Sequence, residues 1–217
     1  MNAEAPFLIL ALAAVLVAVI GVAVVIRSFY QKVDQGRALV VSKPGGARKV
    51  SFTGALVLPL VERAEEIDIS LKTLVIDRRG REGLICHDRI RADATATFFL
   101  RVGRSVDDVL RVAESVGCAR AGDQATLESL FSARFSGAMK QAAAGIDFTE
   151  LYVRRGEYRD LVLQAIGSDL NGYELEDLAL DYLEQTPIEQ LDPQNILDAE
   201  GIRKIKAMAA ATKKDEG

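Results

Sequence analysis

Three periodicities divide the chain. From Phe7 to Ile26 the sequence FLILALAAVLVAVIGVAVVI carries no charge and no strongly polar side chain. An apolar helix of about 20 residues matches the hydrocarbon core of a bilayer, and it closes its own backbone hydrogen bonds, as lipid requires. From Ile90 to Val102 apolar and polar positions alternate without a break, which predicts a half-buried strand. From about Asp123 to Ala144, Leu127, Leu130, Phe131, Phe135, Ala138 and Ala142 recur at three and four, which predicts an amphipathic helix. The order is a transmembrane helix at 7–26, a strand-rich half, a helical middle, one further strand and a final helix: an α+β arrangement.

The ends of the apolar run decide how it is read. A cleaved secretory signal has a basic start, a shorter apolar core and small residues at its cleavage site. Here MNAEAP precedes the run, and Val24, Val25, Ile26 and Arg27 close it. A retained anchor is expected, with Phe29 and Tyr30 at the aromatic belt. Arg27, Lys32 and Arg37 follow the helix. Lys and Arg near a span favour the cytoplasmic side, so residues 1–6 are expected outside and the rest in the cytoplasm. Ala14, Ala18 and Gly21 are read as an ordinary Ala-rich span rather than a helix–helix contact.

The remainder is read as a domain over 35–191 and a helix over 192–217. Gln35 to Leu60 predicts a β-meander, with strands near Ala38–Val41, Lys49–Phe52 and Ala55–Leu58. Lys43-Pro44-Gly45-Gly46 supplies turn chemistry. In Glu62–Ile76, Ile67, Ile69 and Leu71 alternate with Asp68, Ser70 and Lys72 as one strand with a wet face. Asp77 to Gly83 reads as a solvated, Arg-rich hairpin tip rather than a lipid-headgroup contact. Ala92, Ala94 and Ala96 share one strand face, so a helix is expected to cross the sheet closely there. Ser105 and Asp107-Asp108 cap a helix that Gly117 ends. Asp147 or Thr149 caps a short helix with Leu151 and Val153. A further helix spans Glu157–Leu170, with Leu161, Val162, Ala165 and Ile166 inward, stopped by Asn171-Gly172. Tyr173 to Tyr182 is the last strand, alternating at Leu178, Leu180 and Tyr182. Asp192 and Pro193 are expected as N-cap and N1 of the final helix.

Composition removes several functions. The net charge of −4 over 217 residues gives no nucleic-acid surface. Cys86 and Cys118 form no CxxC pair, and His87 is the single histidine. Adjacent strand residues point to opposite faces, so Cys86 and His87 do not share a metal or thiolate site. No phosphate-binding glycine loop occurs. No catalytic residue, cofactor or metal site is expected.

Several scattered segments carry a resemblance. Leu71–Leu74, Asp88–Asp93 leading into Ala94–Val102, Asn171–Glu176, Asp192–Asn195 and Asp198–Gly201 together resemble the flotillin-type branch of the SPFH (band 7, prohibitin homology) superfamily, closest to its bacterial inner-membrane members. The resemblance covers about residues 1–205. It implies a non-enzymatic inner-membrane scaffold, held to the lipid bilayer, that oligomerises and organises membrane microdomains. It also implies a homo-oligomer, or a hetero-oligomer with a longer SPFH protein. The alternative reading is a regulatory adaptor that binds and restrains a membrane protease. Relatives continue into a long coiled coil, whereas here one helix is present. Its apolar stripe, Ile202, Ile205 and Ala209 with Met208 beside it, is the expected oligomerisation contact, because a short lone helix needs its stripe buried.

Overall fold

A computed structural model describes residues 4–215, with side chains from 12 to 211 except Val25. Residues 1–3 of the expected outer segment, and 216–217, lie outside the described residues. Helix α1 (Glu4–Phe29) covers the apolar run, and the window Leu12–Phe29 is long and apolar enough to cross a membrane. None of that window is buried against the rest of the protein.

The chain continues as β1 (Tyr30–Lys32), β2 (Arg37–Ser42), β3 (Arg48–Ser51), β4 (Gly54–Leu56) and β5 (Arg63–Asp68). β2 and β3 form the expected hairpin over Gly45 and Gly46, whose φ angles of 97° and 88° suit only glycine comfortably. The meander stops there. β4 leaves that sheet and pairs with β1, a strand that three residues of sequence did not announce, while β5 pairs with the other edge of β2. Leu39, Val41 and Val57 form a small core between these pieces.

The run read as one strand over 62–76 is two. β5 ends at Asp68, and β6 (Lys72–Arg78) belongs to a different sheet. Asp68 makes the corner. Its Oδ1 accepts from the Ser70 amide at 2.9 Å and hydroxyl at 2.6 Å, and its Oδ2 accepts from Lys72 Nζ at 2.6 Å. Ile67 and Ile69 stay buried, but Leu71 is turned outward. Alternation survived the corner in sequence only because both sides are half-buried.

The main sheet is built on β8 (Arg91–Val102). β6 and the short β7 (Leu84–Ile85) follow one another along one edge, and β9 (Tyr173–Gln185) takes the other. Ala92, Ala94, Ala96, Phe98 and Leu100 are fully buried. After β8 come α2 (Val106–Ser115), α3 (Gln124–Ala143), α4 (Phe148–Val153) and α5 (Arg155–Ile166). α3 lies on β6 and β7, α5 lies on β9, and the two helices pack together. The alanine row therefore sits beneath their seam. Phe98 stacks on Phe135 at 4.5 Å, and the buried Tyr158 hydroxyl donates to the Met139 carbonyl at 3.1 Å. Burial pushes the Tyr158 phenol upward.

The Ser105 cap follows the sequence, its side chain accepting from the Asp108 amide, and at α3 the structure adds a cap at Asp123, which accepts from the Thr126 amide. Elsewhere the structure corrects it. Asp147 precedes α4 but caps nothing with its side chain. Leu130, Val153 and Leu161 face outward. α5 stops at Gly167, with φ 74°; Asn171 and Gly172 instead turn the chain into β9. A Cβ on Gly172 would lie 2.5 Å from the Asp108 carbonyl oxygen.

β9 departs from simple alternation because it carries two extra residues. Leu175, Leu178, Leu180 and Leu183 face Leu100, Phe98, Ala96 and Ala94, with register shifts between Leu175 and Asp177 and between Leu180 and Tyr182. The inward spacing is three, two, three rather than two throughout, the mark of β-bulges. Tyr182 is thereby placed opposite Thr95, where the Arg79 guanidinium lies 4.4 Å from its ring centroid.

The last helix, α6 (Ile196–Asp215), does not take Asp192 and Pro193 as its N-cap and N1. Asn195 caps it: its Oδ1 accepts from the Leu197 amide at 2.9 Å. Asp192 instead folds back on the Gln194 amide in a turn ahead of the helix.

Candidate functional site

Two junctions join the domain to the helices that enter and leave it. At the first, the Val57 amide donates to the Phe29 carbonyl at 2.9 Å, and Tyr30 pairs with Leu56. The end of the span is thus hydrogen-bonded to the segment that follows β4. That segment folds as a turn, with the Val61 and Glu62 amides donating to the Leu58 carbonyl. It exposes Leu56, Leu58, Leu60 and Val61, and Leu60 is 98% accessible. Exposed large side chains scattered singly need no explanation, but a contiguous set marks a contact surface. The sequence read these residues as a strand end. The signal it carried was the run Leu56-Val57-Leu58-Pro59-Leu60-Val61, too apolar and too broken by Pro59 for a simple turn.

The second junction is polar. Arg91 and Asp93 lie on the β8 face that alternation assigned to water, yet both are buried. The start of α6 meets Arg91, while Gly80 and Thr186 meet Asp93. Arg91 donates from Nε and Nη2 to Asp198 Oδ1 at 3.0 and 2.6 Å, and from Nη1 to the carbonyls of Arg81 and Gly83. Asp198 Oδ2 accepts from the Asp192 amide at 3.2 Å. Asp93 Oδ1 accepts from the Gly80 amide at 2.9 Å and from the buried Thr186 hydroxyl. The Asp77–Gly83 segment is therefore not a free hairpin tip. Gly201 presses on the Arg89 carbonyl so closely that a Cβ would lie 2.5 Å from it, and Lys204 Nζ donates to the Asp88 carbonyl at 2.7 Å.

The expected oligomerisation residues sit just beyond this root. Ile202 and Ile205 are half-buried, and Ala209 is exposed. The structure brings the first turns of α6 onto the chain's own domain and leaves the following turns projecting.

The thiols have no reactive setting. Burial pushes Cys86 up to about 12, with Asp88 and Asp147 adding to it; burial and then Glu65 push Cys118 up to about 11. His87 Nδ1 meets Asp147 Oδ1 at 2.8 Å. Among the described residues no group of three or more His, Cys, Asp or Glu side chains is placed to hold a metal.

Comparison with known proteins agrees with this architecture. Residues 31–214 match the model of the SPFH domain / Band 7 family. The chain is 30% identical over 186 residues, 85% of its length, to the flotillin family inner membrane protein YqiK of Escherichia coli. It is 24% identical over 182 residues to the flotillin family inner membrane protein sll1021 of Synechocystis. It spans only 34% and 26% of the lengths of these two relatives. Its sheets, its packed helices and the extent of the match agree: the chain belongs to the SPFH domain / Band 7 family, as a flotillin-like member with one N-terminal helix apolar enough to cross a membrane.

Proposed function

We propose that the chain is a non-enzymatic scaffold anchored in the inner membrane, with α1 spanning the bilayer and the domain lying flush against it on the cytoplasmic side. The observation that carries this reading is the rim Leu56, Leu58, Leu60 and Val61, tied by main-chain hydrogen bonds to the end of the apolar helix. A single span fixes one point of the domain. An apolar rim beside that point adds a second contact and limits tilt. Such side chains gain free energy in lipid at roughly 25 cal/mol per Å² of apolar surface removed from water. Arg27, Lys32 and Arg37 support the cytoplasmic side. Self-association through Ile202, Ile205 and Ala209, or with a longer SPFH protein, completes the scaffold and gathers membrane proteins into microdomains.

The rim is tested with an environment-sensitive fluorophore on Leu60→Cys, in the full chain reconstituted in vesicles. A blue-shifted emission quenched by shallow lipid-borne quenchers is expected. Emission like that of a water-exposed dye refutes the flush placement. A cytoplasm-only reporter fused after Gly217 should be active, and activity of a periplasm-only reporter there reverses the topology. Loss of higher oligomers on crosslinking the Ile202→Asp/Ile205→Asp variant in membranes, with the domain still folded, is the expected sign of self-association through α6. Unchanged crosslinking overturns that contact.

A further inference from the structure

Beside the root of α6 lies a cleft of about 560 Å³, walled by the Gly80–Gly83 segment, β7, the end of α3 and Leu197 of α6. Its lining holds five cationic side chains, Arg78, Arg81, Arg89, Arg91 and Lys140, against one acidic side chain, Glu82. In a chain of net charge −4 this is a local reversal of sign. Arg91 is neutralised by Asp198, and Arg78 Nη2 pairs with Glu82 at 2.7 Å. Arg89 reaches Glu200 only at 3.9 Å, and Arg81 and Lys140 have no acidic partner among the described residues. Arg78 Nε is buried with no acceptor among the described residues.

Two main-chain carbonyls beside the cleft that would repel an anion are already occupied. The carbonyl oxygens of Arg81 and Gly83 are both turned onto Arg91 Nη1, at 3.0 and 3.1 Å. Arg89 is held in the left-handed region at φ 69°, an uncommon conformation outside glycine that costs free energy and recurs at ligand clamps. Its carbonyl is pinned by Gly201, so its position is fixed from α6.

We propose that this cleft binds a phosphate-class oxyanion carried by a small molecule, with Arg81, Arg89 and Lys140 as its cationic ligands. Guanidinium groups give paired, charge-assisted hydrogen bonds to such oxyanions, and an ammonium adds a point charge. The volume lies within the usual range for small-molecule sites, and Ile85, Ala144 and Leu197 offer an apolar wall to the rest of the molecule. A lipid headgroup and a free phosphate compound share this chemistry. The position favours the free compound. The chain from the span meets the main sheet near Leu100, where the Gly36 carbonyl accepts from the Ile69 amide. Arg91 lies toward the other end of β8, nine residues from Leu100 and roughly 30 Å away at about 3.3 Å per residue.

The test is calorimetric titration of the full chain in phosphatidylcholine nanodiscs with inorganic pyrophosphate, at fixed ionic strength. Saturable binding is expected, weakened about tenfold or more by Arg81→Gln with Lys140→Gln. Those side chains have no acidic partners, so the unliganded melting temperature should be unchanged. Arg48→Gln with Lys49→Gln, elsewhere on the surface, should leave binding intact. Repeating the titration with phosphatidate in the discs separates the sources. Pyrophosphate binding unaffected by phosphatidate assigns the site to a free compound; competition that disappears in the Arg81→Gln/Lys140→Gln protein assigns it to a headgroup. Absence of saturable binding under both lipid compositions overturns the proposal. So does binding that the double substitution leaves unchanged.

Discussion

The two ends of the domain hold their helices by opposite means. Where α1 enters, the attachment is main-chain hydrogen bonds of a three-residue strand pair, and the side chains around it are apolar and exposed. Where α6 leaves, the attachment is a buried ion pair, a close glycine contact and a lysine on a carbonyl. Apolar contact with lipid is non-directional, and it suits a helix whose surroundings are fluid. Charge-assisted hydrogen bonds are directional. They fix the axis along which α6 departs.

If that contrast is right, damage at the exit unfolds and damage at the entrance only detaches. The largest effect is expected from Asp198→Ala, which leaves Arg91 buried without its counter-charge and should cost about 3–5 kcal/mol. Denaturant unfolding of the full chain in detergent measures it, and a loss below about 1 kcal/mol would mean that water replaces the carboxylate. Gly201→Ala forces the added methyl against the Arg89 carbonyl and should cost about 1–3 kcal/mol. Crosslinking should then report a changed path for α6. An unchanged melting temperature and path would show that the root yields easily.

A milder effect concerns the corner between the two sheets. Burial raises the Asp68 carboxyl, but donation from Lys72 and Ser70 overcomes it and holds the group below its ordinary value. A depressed carboxylate stabilises the fold above its unfolded value and loses that contribution as pH falls through the folded one. Stability should therefore decline below about pH 4, and Asp68→Asn should flatten the decline. Identical acid limbs for the two proteins would show that Asp68 is not coupled to folding. Smallest of all, Leu58→Ser with Leu60→Ser should change stability by no more than about 0.5 kcal/mol while weakening membrane contact of the rim. A large loss of stability would make the rim part of the core and end the contrast between the junctions.

The sequence made the inner face of the main sheet legible and its outer face illegible. Unbroken alternation over Ile90–Val102 located β8, and Ala92, Ala94 and Ala96 located the seam beneath α3 and α5, because small residues on one face have one simple use. The cap at Ser105 was legible for a local reason: its contact spans three residues. Arg91 and Asp93 were not, since their partners Asp198 and Thr186 lie 107 and 93 positions along the chain, and the pattern of β8 alone calls them wet. The bulges of β9 hid in the same way. An extra residue leaves Leu175, Leu178, Leu180 and Leu183 out of step in sequence, and only pairing with β8 restores the phase. Asp192-Pro193 misled because an Asx turn and an N-cap use the same side chain, and the nearer Asn195 won. The cationic cleft was invisible for a further reason: Arg81 and Lys140 come from segments that only the folded chain brings together.

The buried thiols have a practical meaning at the bench. Burial pushes the two thiols up to about 12 and about 11, which disfavours the thiolate at neutral pH, and the thiolate is the species that alkylating reagents attack. Both native thiols are buried as well, so maleimide is expected to label the folded protein slowly at either. A cysteine placed at Leu60, Arg81 or Ala209 can be labelled against that background without removing either native one, so the rim, the cleft and the projecting helix can each be watched in an otherwise unaltered chain.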